Sequence, residues 1–324
     1  MPEEKMNIEK TLSAINKRLG EGTIEEVSKF GEIKIDRIPT GSYSLDYIMG
    51  GGLPKGRILE IYGEPSSGKT ILSLFMIKEV QQRGGKAAFI DCENSFSVDF
   101  ASDIGVDTDR LILSQAVIAE DVLNIVDDLI KTNELDLIVL DSVASMVPRK
   151  EFEGEVGDMQ VALTSRIMSQ ALRKITGSAA HSKTSVIFIN QIRSKIGMYY
   201  GNPMTTPGGM ALKFYASIRM QVAKGKNIED KSGEIVGNII KVEAKKNKTA
   251  MPFRKTELEL YYKRGIDKIE DIFEMAVKNE IIAKSGNTYS FKEAKLGVGK
   301  DSVKQFLRDN PDVYQQIQEV MDQI

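Results

Sequence analysis

Between residues 31 and 266 the chain alternates short apolar runs with longer segments whose apolar residues have helical spacing. The helical patterns cover 69–83 and about 118–131. Short apolar runs of this kind are typical of parallel strands that are covered on both faces. The alternation therefore predicts an α/β fold in which helices flank a mostly parallel, twisted sheet. The clearest apolar runs are RILEIYG (57–63), KAAFIDC (86–92), LDLIVLDS (135–142) and TSVIFINQ (184–191).

The remaining parts of the chain have a different texture. Residues 1–30 carry a loose helical stripe that ends at Gly20, so we expect a separate helix that is buried on the core or on a neighbouring subunit. The runs ASIRMQVA, GNIIKVEAKKN and RKTELELYY predict an antiparallel extension of the sheet at the end of a 31–266 core. Residues 267–324 show a helix, a hairpin and two helices broken at Pro311, which predicts a small α/β domain.

The composition is that of an ordinary globular protein: 324 residues, 41% of them hydrophobic and 28% charged. No apolar run is long enough to span a membrane, and the N-terminal sequence lacks the apolar segment of a signal peptide. The single cysteine, Cys92, cannot form an internal disulfide, so we expect a cytoplasmic protein. Because the net charge is −2, any nucleic-acid site must rest on a local basic patch.

The segment GEPSSGKT matches the phosphate-loop pattern G-x-x-x-x-G-K-[ST] between a predicted strand and a predicted helix. Backbone N–H groups of such a loop surround phosphates, and the following helix adds its positive end. Lys69 would reach the β- and γ-phosphates of ATP, and Thr70 would hold Mg²⁺. The alternative is an ordinary glycine-rich turn. The residues expected to bind the nucleotide are Gly63, Glu64, Pro65, Ser66, Ser67, Gly68, Lys69, Thr70 and Ile71.

Two acidic residues follow predicted strands and are expected near the phosphates. Asp141 ends the run LIVLD, the usual place for a carboxylate that helps to hold Mg²⁺, through water in this case. Glu93 follows AFIDC, where a carboxylate could polarise water for attack on the γ-phosphate. Position alone leaves two alternatives open, a helix cap for Asp141 and a salt bridge for Glu93.

A segment of about twenty residues, NQIRSKIGMYYGNPMTTPGG (190–209), follows the last buried strand. Connections of this length inside a compact domain are uncommon and are usually functional or disordered. The segment contains basic residues and four glycines, which suits a ligand-binding role better than a simple turn.

Several blocks of the chain resemble bacterial RecA recombinases. They include GRILEIYGEPSSGKT, LIVLDSVASMVPRKEFEGEVGD, SRIMSQALRKITG, IFINQIRSKIGMYYGNPMTTPGGMALKFYASIRM and KNKTAMPF, and they extend over nearly the whole chain. The resemblance implies a RecA-like core and an ATP- and Mg²⁺-dependent helical filament on single-stranded DNA. Such a filament hydrolyses ATP and exchanges strands with homologous double-stranded DNA. A LexA-type repressor, and hence the SOS response to DNA damage, is a further expected connection.

The resemblance also implies roles for individual residues. Glu93 corresponds to the catalytic glutamate, and Gln191 to the glutamine that senses the γ-phosphate and couples the ATP and DNA sites. Lys246 and Lys248 would reach ATP on the adjacent subunit. The remaining carried-over residues are Phe100 and Tyr262 beside the adenine, and Lys213 and Phe214 at the subunit interface. Phe100 and Ser97 depart from the family, where tyrosine and an acid are usual at these positions.

The residues expected to bind DNA come from one helix and from the 190–209 segment. Arg166 and Arg173 lie seven residues apart on the polar face of a predicted helix and are similar to family arginines near the DNA axis. Spacing alone favours two solvated arginines. The 190–209 segment adds Arg193, Lys195 and Ile196, with Gly208 and Gly209 permitting close approach of the backbone.

Two other functions compete with the recombinase hypothesis. One is a RecA-fold filament scaffold that binds ATP without strand exchange, which is motivated by an altered first DNA loop, GDMQVALTSR. The other is a small-molecule P-loop kinase, which leaves the 190–209 segment unexplained.

Overall fold

The computed structural model describes residues 7–20, 23–26, 35–155, 162–194 and 204–323. The chain divides into two units, Met1–Asp36 and Arg37–Ile324. The first unit contains the predicted N-terminal helix, α1 (Ile8–Leu19). The Asn7 side chain caps it by accepting the N–H of Glu9 at 3.2 Å, and Gly20 ends it as the sequence predicts.

The described part of the second unit contains ten α-helices and sixteen strands, numbered along the chain. The helices are α2 (Tyr43–Met49), α3 (Lys69–Gln82), α4 (Val98–Ile104), α5 (Ala119–Lys131), α6 (Arg149–Phe152), α7 (Leu163–Ser182), α8 (Ala211–Tyr215), α9 (Lys268–Lys278), α10 (Lys300–Asp309) and α11 (Pro311–Met321). The strands are β1 (Arg37–Ile38), β2 (Leu53–Pro54), β3 (Ile58–Gly63), β4 (Ala87–Asp91), β5 (Ile112–Ser114), β6 (Leu137–Asp141), β7 (Ser185–Gln191), β8 (Arg193–Ser194), β9 (Met204–Thr205), β10 (Ile218–Glu229), β11 (Ile235–Asn247), β12 (Lys255–Tyr261), β13 (Gly265–Ile266), β14 (Ala283–Ser285), β15 (Thr288–Phe291) and β16 (Ala294–Val298).

Nine strands form one sheet in the order β13-β12-β11-β10-β3-β7-β6-β4-β5. Every neighbouring pair from β10 to β5 is parallel. The pairs from β13 to β10 are antiparallel. The predicted α/β class, the mostly parallel sheet and the antiparallel extension at one edge are therefore confirmed.

Both faces of the parallel strands β3, β7, β6 and β4 are buried, as the continuous apolar runs predict. One apolar cluster joins alternate strand residues to α2, α3 and α4, and a second joins the other residues to α5 and α7. In β6, for example, Val139 belongs to the first cluster and Leu140 to the second. The two layers of helices hold the strands at a fixed register, and so they fix the positions of side chains at the strand ends.

The carboxyl ends of β3, β4, β6 and β7 meet at one edge of the sheet, because these strands are parallel neighbours. β3 leads into the phosphate loop, β4 into Glu93, β6 ends at Asp141 and β7 ends at Gln191. Ligands of open α/β sheets bind outside this edge. The fold therefore gathers the residues that the sequence marks as candidates for ATP chemistry.

The 190–209 segment begins and ends in a short ribbon that the sequence did not predict. Arg193 pairs with Thr205 and Ser194 with Met204, in an antiparallel β8–β9 pair. The departing limb of the segment (β8) and its returning limb (β9) therefore lie side by side, with backbone groups that hydrogen-bond to each other. Lys195 and Ile196 lie outside the described residues.

The C-terminal part contains the predicted helix α9, a β14–β15 hairpin and the two helices α10 and α11. The hairpin is extended by a third strand, β16, that the sequence analysis missed. A separate apolar cluster, which includes Phe273, Tyr289 and Leu307, joins these elements. No helix among the described residues has the length and apolar character needed to cross a membrane.

Candidate nucleotide site and DNA-binding elements

The phosphate loop runs from the end of β3 to the first turn of α3. Gly68 is the residue before the helix and has φ +91°, a conformation that glycine adopts without strain. Lys69 is 7% exposed, and its Nζ donates to the backbone oxygen of Glu64 at 2.7 Å. Burial lowers the pKa of Lys69, while the carboxylates of Asp141 and Glu93 raise it. The ammonium group thus lies against the loop backbone, where a phosphate would neutralise it.

Thr70 and Asp141 are brought together, as the sequence predicts for a Mg²⁺ site. The Thr70 hydroxyl donates to Asp141 Oδ2 at 2.6 Å. Asp141 is 6% exposed, and burial raises its pKa to about 6. A hydroxyl and a carboxylate beside a phosphate loop are the hard oxygen groups that Mg²⁺ prefers. The residues present therefore fit a magnesium–nucleotide complex.

Glu93 and Gln191 meet at the same edge of the sheet. Gln191 Nε2 donates to Glu93 Oε1 at 3.1 Å. Two hydroxyl groups donate to the same Glu93 oxygen, that of Ser142 at 2.7 Å and that of Ser145 at 3.3 Å. The carboxylate is exposed and held by donors, so it is oriented and open to a water molecule. This network favours the catalytic interpretation of Glu93 over a salt bridge.

Sequence reasoning missed Ser142 and Ser145, and it also missed Asp91. The Asp91 carboxylate is buried and accepts the backbone N–H groups of Glu93 and Phe96 at 3.2 and 2.9 Å. It therefore shapes the turn that presents Glu93. A polar residue at the end of an otherwise apolar strand, in AFID, is the signal that could have revealed it.

A cavity of about 420 Å³ adjoins the phosphate loop, a size within the range of small-molecule sites. Phe100 and Tyr262 both line it, as expected for residues beside the adenine. Ser97 faces a different task, because its hydroxyl accepts the N–H of Phe100 at 3.2 Å and caps α4. The complete lining is Ser66, Ser67, Gly68, Lys69, Thr70, Ile71, Phe100, Lys224, Asn238 and Tyr262.

Asn238 is the lining residue with an unmet hydrogen-bonding need. Its side chain is buried, with 2% exposure, and its Nδ2 has no hydrogen-bond partner. A buried unpaired amide costs about 1–3 kcal/mol, which a bound ligand with an acceptor would recover. The signal in the sequence was a polar residue, Asn238, on the same face of β11 as the apolar residues Ile240 and Val242.

Lys246 and Lys248 lie away from the phosphate loop of their own subunit. Lys246 is opposite Arg219, which in turn is opposite Glu60 on β3, three residues before the loop begins. Lys246 Nζ donates to the carbonyls of Lys213 and Phe214 at 2.6 and 2.9 Å. Burial and the nearby Lys248 lower the pKa of Lys246 to about 8. A phosphate presented by a neighbour would favour the charged form of this lysine.

The predicted interface residues lie beside these lysines. Phe214 is 66% exposed, which is unusual for a large aromatic side chain. Lys213 Nζ donates to the hydroxyl of Thr205, on the returning limb of the 190–209 segment. Lys248 Nζ donates to the carbonyl of Phe214 at 3.0 Å.

The described basic DNA candidates lie on α7, in its first turn and near its middle, and in the β8–β9 ribbon. Arg166, Arg173 and Arg193 are exposed, whereas Met168 and Leu172 form the buried stripe of α7. The two α7 arginines therefore occupy the polar face, as predicted.

Gly208 and Gly209 have φ values of +84° and +77°, and each packs against the chain itself. A Cβ on Gly208 would lie 2.9 Å from Val143, and one on Gly209 would lie 2.7 Å from the Ser165 hydroxyl. Close packing within the chain thus accounts for both glycines, and their contact with DNA stays a prediction.

Comparison with known proteins agrees with these features. The family model of the RecA N-terminal domain matches residues 6–267, and that of the RecA C-terminal domain matches residues 270–324. The chain belongs to the RecA family. It is 46% identical to Protein RecA of Lactobacillus acidophilus, over 98% of this chain and 87% of the relative. It is 47% identical to Protein RecA of Zymomonas mobilis, over 97% of this chain and 89% of the relative, and 47% identical to that of Acidiphilium cryptum, over 98% and 93%.

Membership of the RecA family confirms the predicted activity. The chain is a DNA-dependent ATPase and recombinase that uses ATP and Mg²⁺. Its partners are single-stranded DNA, homologous double-stranded DNA and further copies of itself in a filament. The small-molecule kinase and the scaffold without strand exchange are not supported.

Proposed function

We propose a specific division of labour among the site residues in this recombinase. The phosphate loop, Gly63–Thr70, binds the phosphates of ATP, and Lys69 neutralises their charge. Thr70 would hold Mg²⁺, and Asp141 would help to hold it through water. Bound Mg²⁺ supplies charge neutralisation at the phosphates. Glu93 orients and deprotonates the attacking water, a role supported by its three hydrogen-bond donors and its exposure.

The adenine lies in the 420 Å³ cavity between Phe100 and Tyr262. Asn238 reads its polar edge, because the buried Nδ2 of this residue is unsatisfied without a ligand. The Ser97 hydroxyl already accepts a hydrogen bond as the cap of α4. The polar contact to the adenine is therefore assigned to Asn238 on β11.

An Asn238→Leu variant is expected to bind ATP about 5- to 150-fold more weakly, because the buried amide and its bond to the base are lost. Isothermal titration with ATP and with inorganic triphosphate would measure this. Triphosphate affinity should be unchanged, since Asn238 lies on the base side. Equal weakening for both ligands would show that the substitution disturbs the phosphate loop instead.

We further propose that two subunits share each ATP. Lys246 and Lys248 reach the γ-phosphate on the adjacent subunit, and Lys213 and the exposed Phe214 contribute to the interface. The supporting observation is the strand register. Through Arg219, it aligns Lys246 with Glu60, three residues before the phosphate loop of the same subunit begins. Charge supplied in trans stabilises the transition state of phosphoryl transfer.

Single-stranded DNA is proposed to lie along α7 and the β8–β9 ribbon. Arg166, Arg173 and Arg193 are its described basic contacts, and they form the local patch that the net charge of −2 requires. Gln191 couples this surface to ATP, because it bonds Glu93 and stands at the start of the segment. Lys195, Ile196, Gly208 and Gly209 remain predicted contacts.

The domain roles and the setting are also proposals. Residues 1–30 would serve subunit assembly, 31–266 the ATPase and DNA-binding core, and 267–324 a small accessory domain. The cytoplasm is the proposed location, and contact with a LexA-type repressor is a prediction that follows from the family alone.

The experiment that tests the proposed function combines ATP hydrolysis with strand exchange. Pure protein should hydrolyse ATP faster when single-stranded DNA is added, and it should exchange strands with homologous but not with non-homologous duplex. The observation that carries the proposal is the Glu93–Gln191 hydrogen bond, which joins the two sites. An ATP hydrolysis rate that does not change when single-stranded DNA is added would contradict the proposed function.

A further inference from the structure

A buried carboxylate lies in the central sheet among apolar neighbours. Glu60 is on β3, and its side chain has no exposed surface, whereas Leu59 and Ile61 beside it belong to an apolar cluster. Removing an ion from water costs several kcal/mol, and apolar replacements of buried ion pairs are often neutral or stabilising. Stability alone is therefore a weak explanation for Glu60.

Glu60 has two partners on the neighbouring strands. Arg219 is directly opposite on β10, and its Nε donates to Glu60 Oε2 at 2.5 Å. Asn190 is on β7, has no exposed surface, and its Nδ2 donates to Glu60 Oε1 at 3.1 Å. We name Glu60, Arg219 and Asn190 the Glu60 triad.

Asn190 binds both ends of the segment proposed to contact DNA. Its Oδ1 accepts the backbone N–H of Gln191 at 3.0 Å, where the chain leaves the sheet. Its Nδ2 also donates to the carbonyl of Pro207 at 3.1 Å, where the chain returns. One buried amide thus holds the departing and the returning limb, and Glu60 fixes that amide.

Arg219 extends the triad toward the subunit interface. Its guanidinium lies 4.6 Å from the centre of the Tyr62 ring, and Arg219 is opposite Lys246 on β11. Lys246 in turn binds the carbonyls of Lys213 and Phe214. The triad therefore contacts the strand of the phosphate loop, the ends of the 190–209 segment and the strand that carries the interface lysines.

We propose that the Glu60 triad is a positioning element that transmits the state of the ATP site to both ends of the 190–209 segment. A displacement of Gln191 toward the γ-phosphate would change the bonds of the Asn190 amide, and so the position of Pro207. Hydrogen-bond and salt-bridge networks can carry coupling between two sites, and the triad is a network of this kind that lies between them. This inference rests on the proposed function of Gln191.

The test compares ATP-induced DNA affinity in the wild type and in Glu60→Gln. This variant keeps the shape of the side chain and removes the charge that holds Arg219. In the wild type a slowly hydrolysed ATP analogue should raise affinity for a single-stranded oligonucleotide by at least about tenfold. In Glu60→Gln the gain should fall below about threefold, while affinity for the analogue stays within about threefold of the wild type.

A matched control is Glu79→Gln. Glu79, on α3, is a second nearly buried carboxylate, and its Oε1 lies 2.7 Å from Lys268 Nζ on α9. It should lose stability without losing the ATP-induced gain. If Glu60→Gln does not fold, the double variant Glu60→Met/Arg219→Met, which removes both charges, is measured in its place. A rescue control is Arg219→Lys, which keeps the charge opposite Glu60 and should retain part of the gain.

The outcomes separate the inference from the proposed function. A full gain in a folded Glu60 variant would overturn the role of the triad while leaving the function of Gln191 intact. Parallel loss of analogue affinity would also overturn it, because the triad would then act on the ATP site as a whole. Absence of any gain in the wild type would instead overturn the proposed coupling itself.

Discussion

Replacing Glu93 with glutamine is expected to slow DNA-stimulated ATP hydrolysis by about 10² to 10⁴-fold while leaving ATP affinity near the wild-type value. Glutamine retains an oxygen that can accept from Ser142 and Gln191, so the local geometry should persist. The lost function is the capacity to take a proton from water. Single-turnover hydrolysis on single-stranded DNA, with nucleotide binding measured in parallel, would separate the two effects.

The Glu229→Gln variant is a suitable control, since Glu229 is an exposed glutamate at the end of β10 and is not among the residues that line the nucleotide cavity. Its turnover should match that of the wild type. The variant Glu93→Gln should also retain ATP-dependent DNA binding, because it leaves the phosphate loop and the Gln191 side chain unchanged. Turnover equal to the wild type in Glu93→Gln would remove Glu93 from the catalytic role.

The double variant Lys246→Ala/Lys248→Ala is expected to lose about 10³-fold in turnover, the effect of removing a cation supplied in trans. Its own phosphate loop remains intact, so isolated subunits should bind ATP with little change. Lys245→Ala is the control, because Lys245 is the neighbouring lysine and forms only a partly exposed pair with Glu243. Steady-state hydrolysis at saturating DNA and ATP is the measurement.

Mixing two inactive variants tests whether the ATP site is shared. In an equal mixture of Glu93→Gln and Lys246→Ala/Lys248→Ala, random assembly gives about a quarter of interfaces with an intact Glu93 facing intact lysines. Turnover should therefore rise well above that of either variant alone. No gain on mixing would indicate that the lysines act within their own subunit.

The sequence was sufficient to predict the parts of the site that depend on strand ends. Gly63–Thr70, Glu93, Asp141 and Gln191 each follow an apolar run, and parallel strands bring their carboxyl ends together. The antiparallel extension was also predictable, because three strand-like runs follow one another with little helix between them. These inferences need only periodicity and the order of elements, except that Gln191 was identified through the resemblance to RecA recombinases.

Residues that depend on register between distant strands could not be predicted. Along the chain, Glu60 is 130 residues from Asn190 and 159 residues from Arg219. Only the β3–β7 and β3–β10 registers place the three residues together. Asn238 joins the nucleotide cavity for the same reason, since β11 is the second strand from β3 in the sheet. The β8–β9 ribbon was missed because two-residue strands carry no periodic signal.

The two glycines at the end of the 190–209 segment illustrate a different limit. Their presence suggested a close approach to DNA, yet both approach Val143 and Ser165 of the same chain. A glycine in a sequence indicates that space is short or that φ is positive. It does not identify the group on the other side.

The coupling of the ATP site to the DNA-binding segment is proposed to depend on Gln191. Its most direct test is the affinity for single-stranded DNA of the wild type and of Gln191→Ala, each with and without a slowly hydrolysed ATP analogue. We expect a gain of at least about tenfold in the wild type and little or none in Gln191→Ala, although both bind the analogue. An equal gain in the two proteins would contradict it.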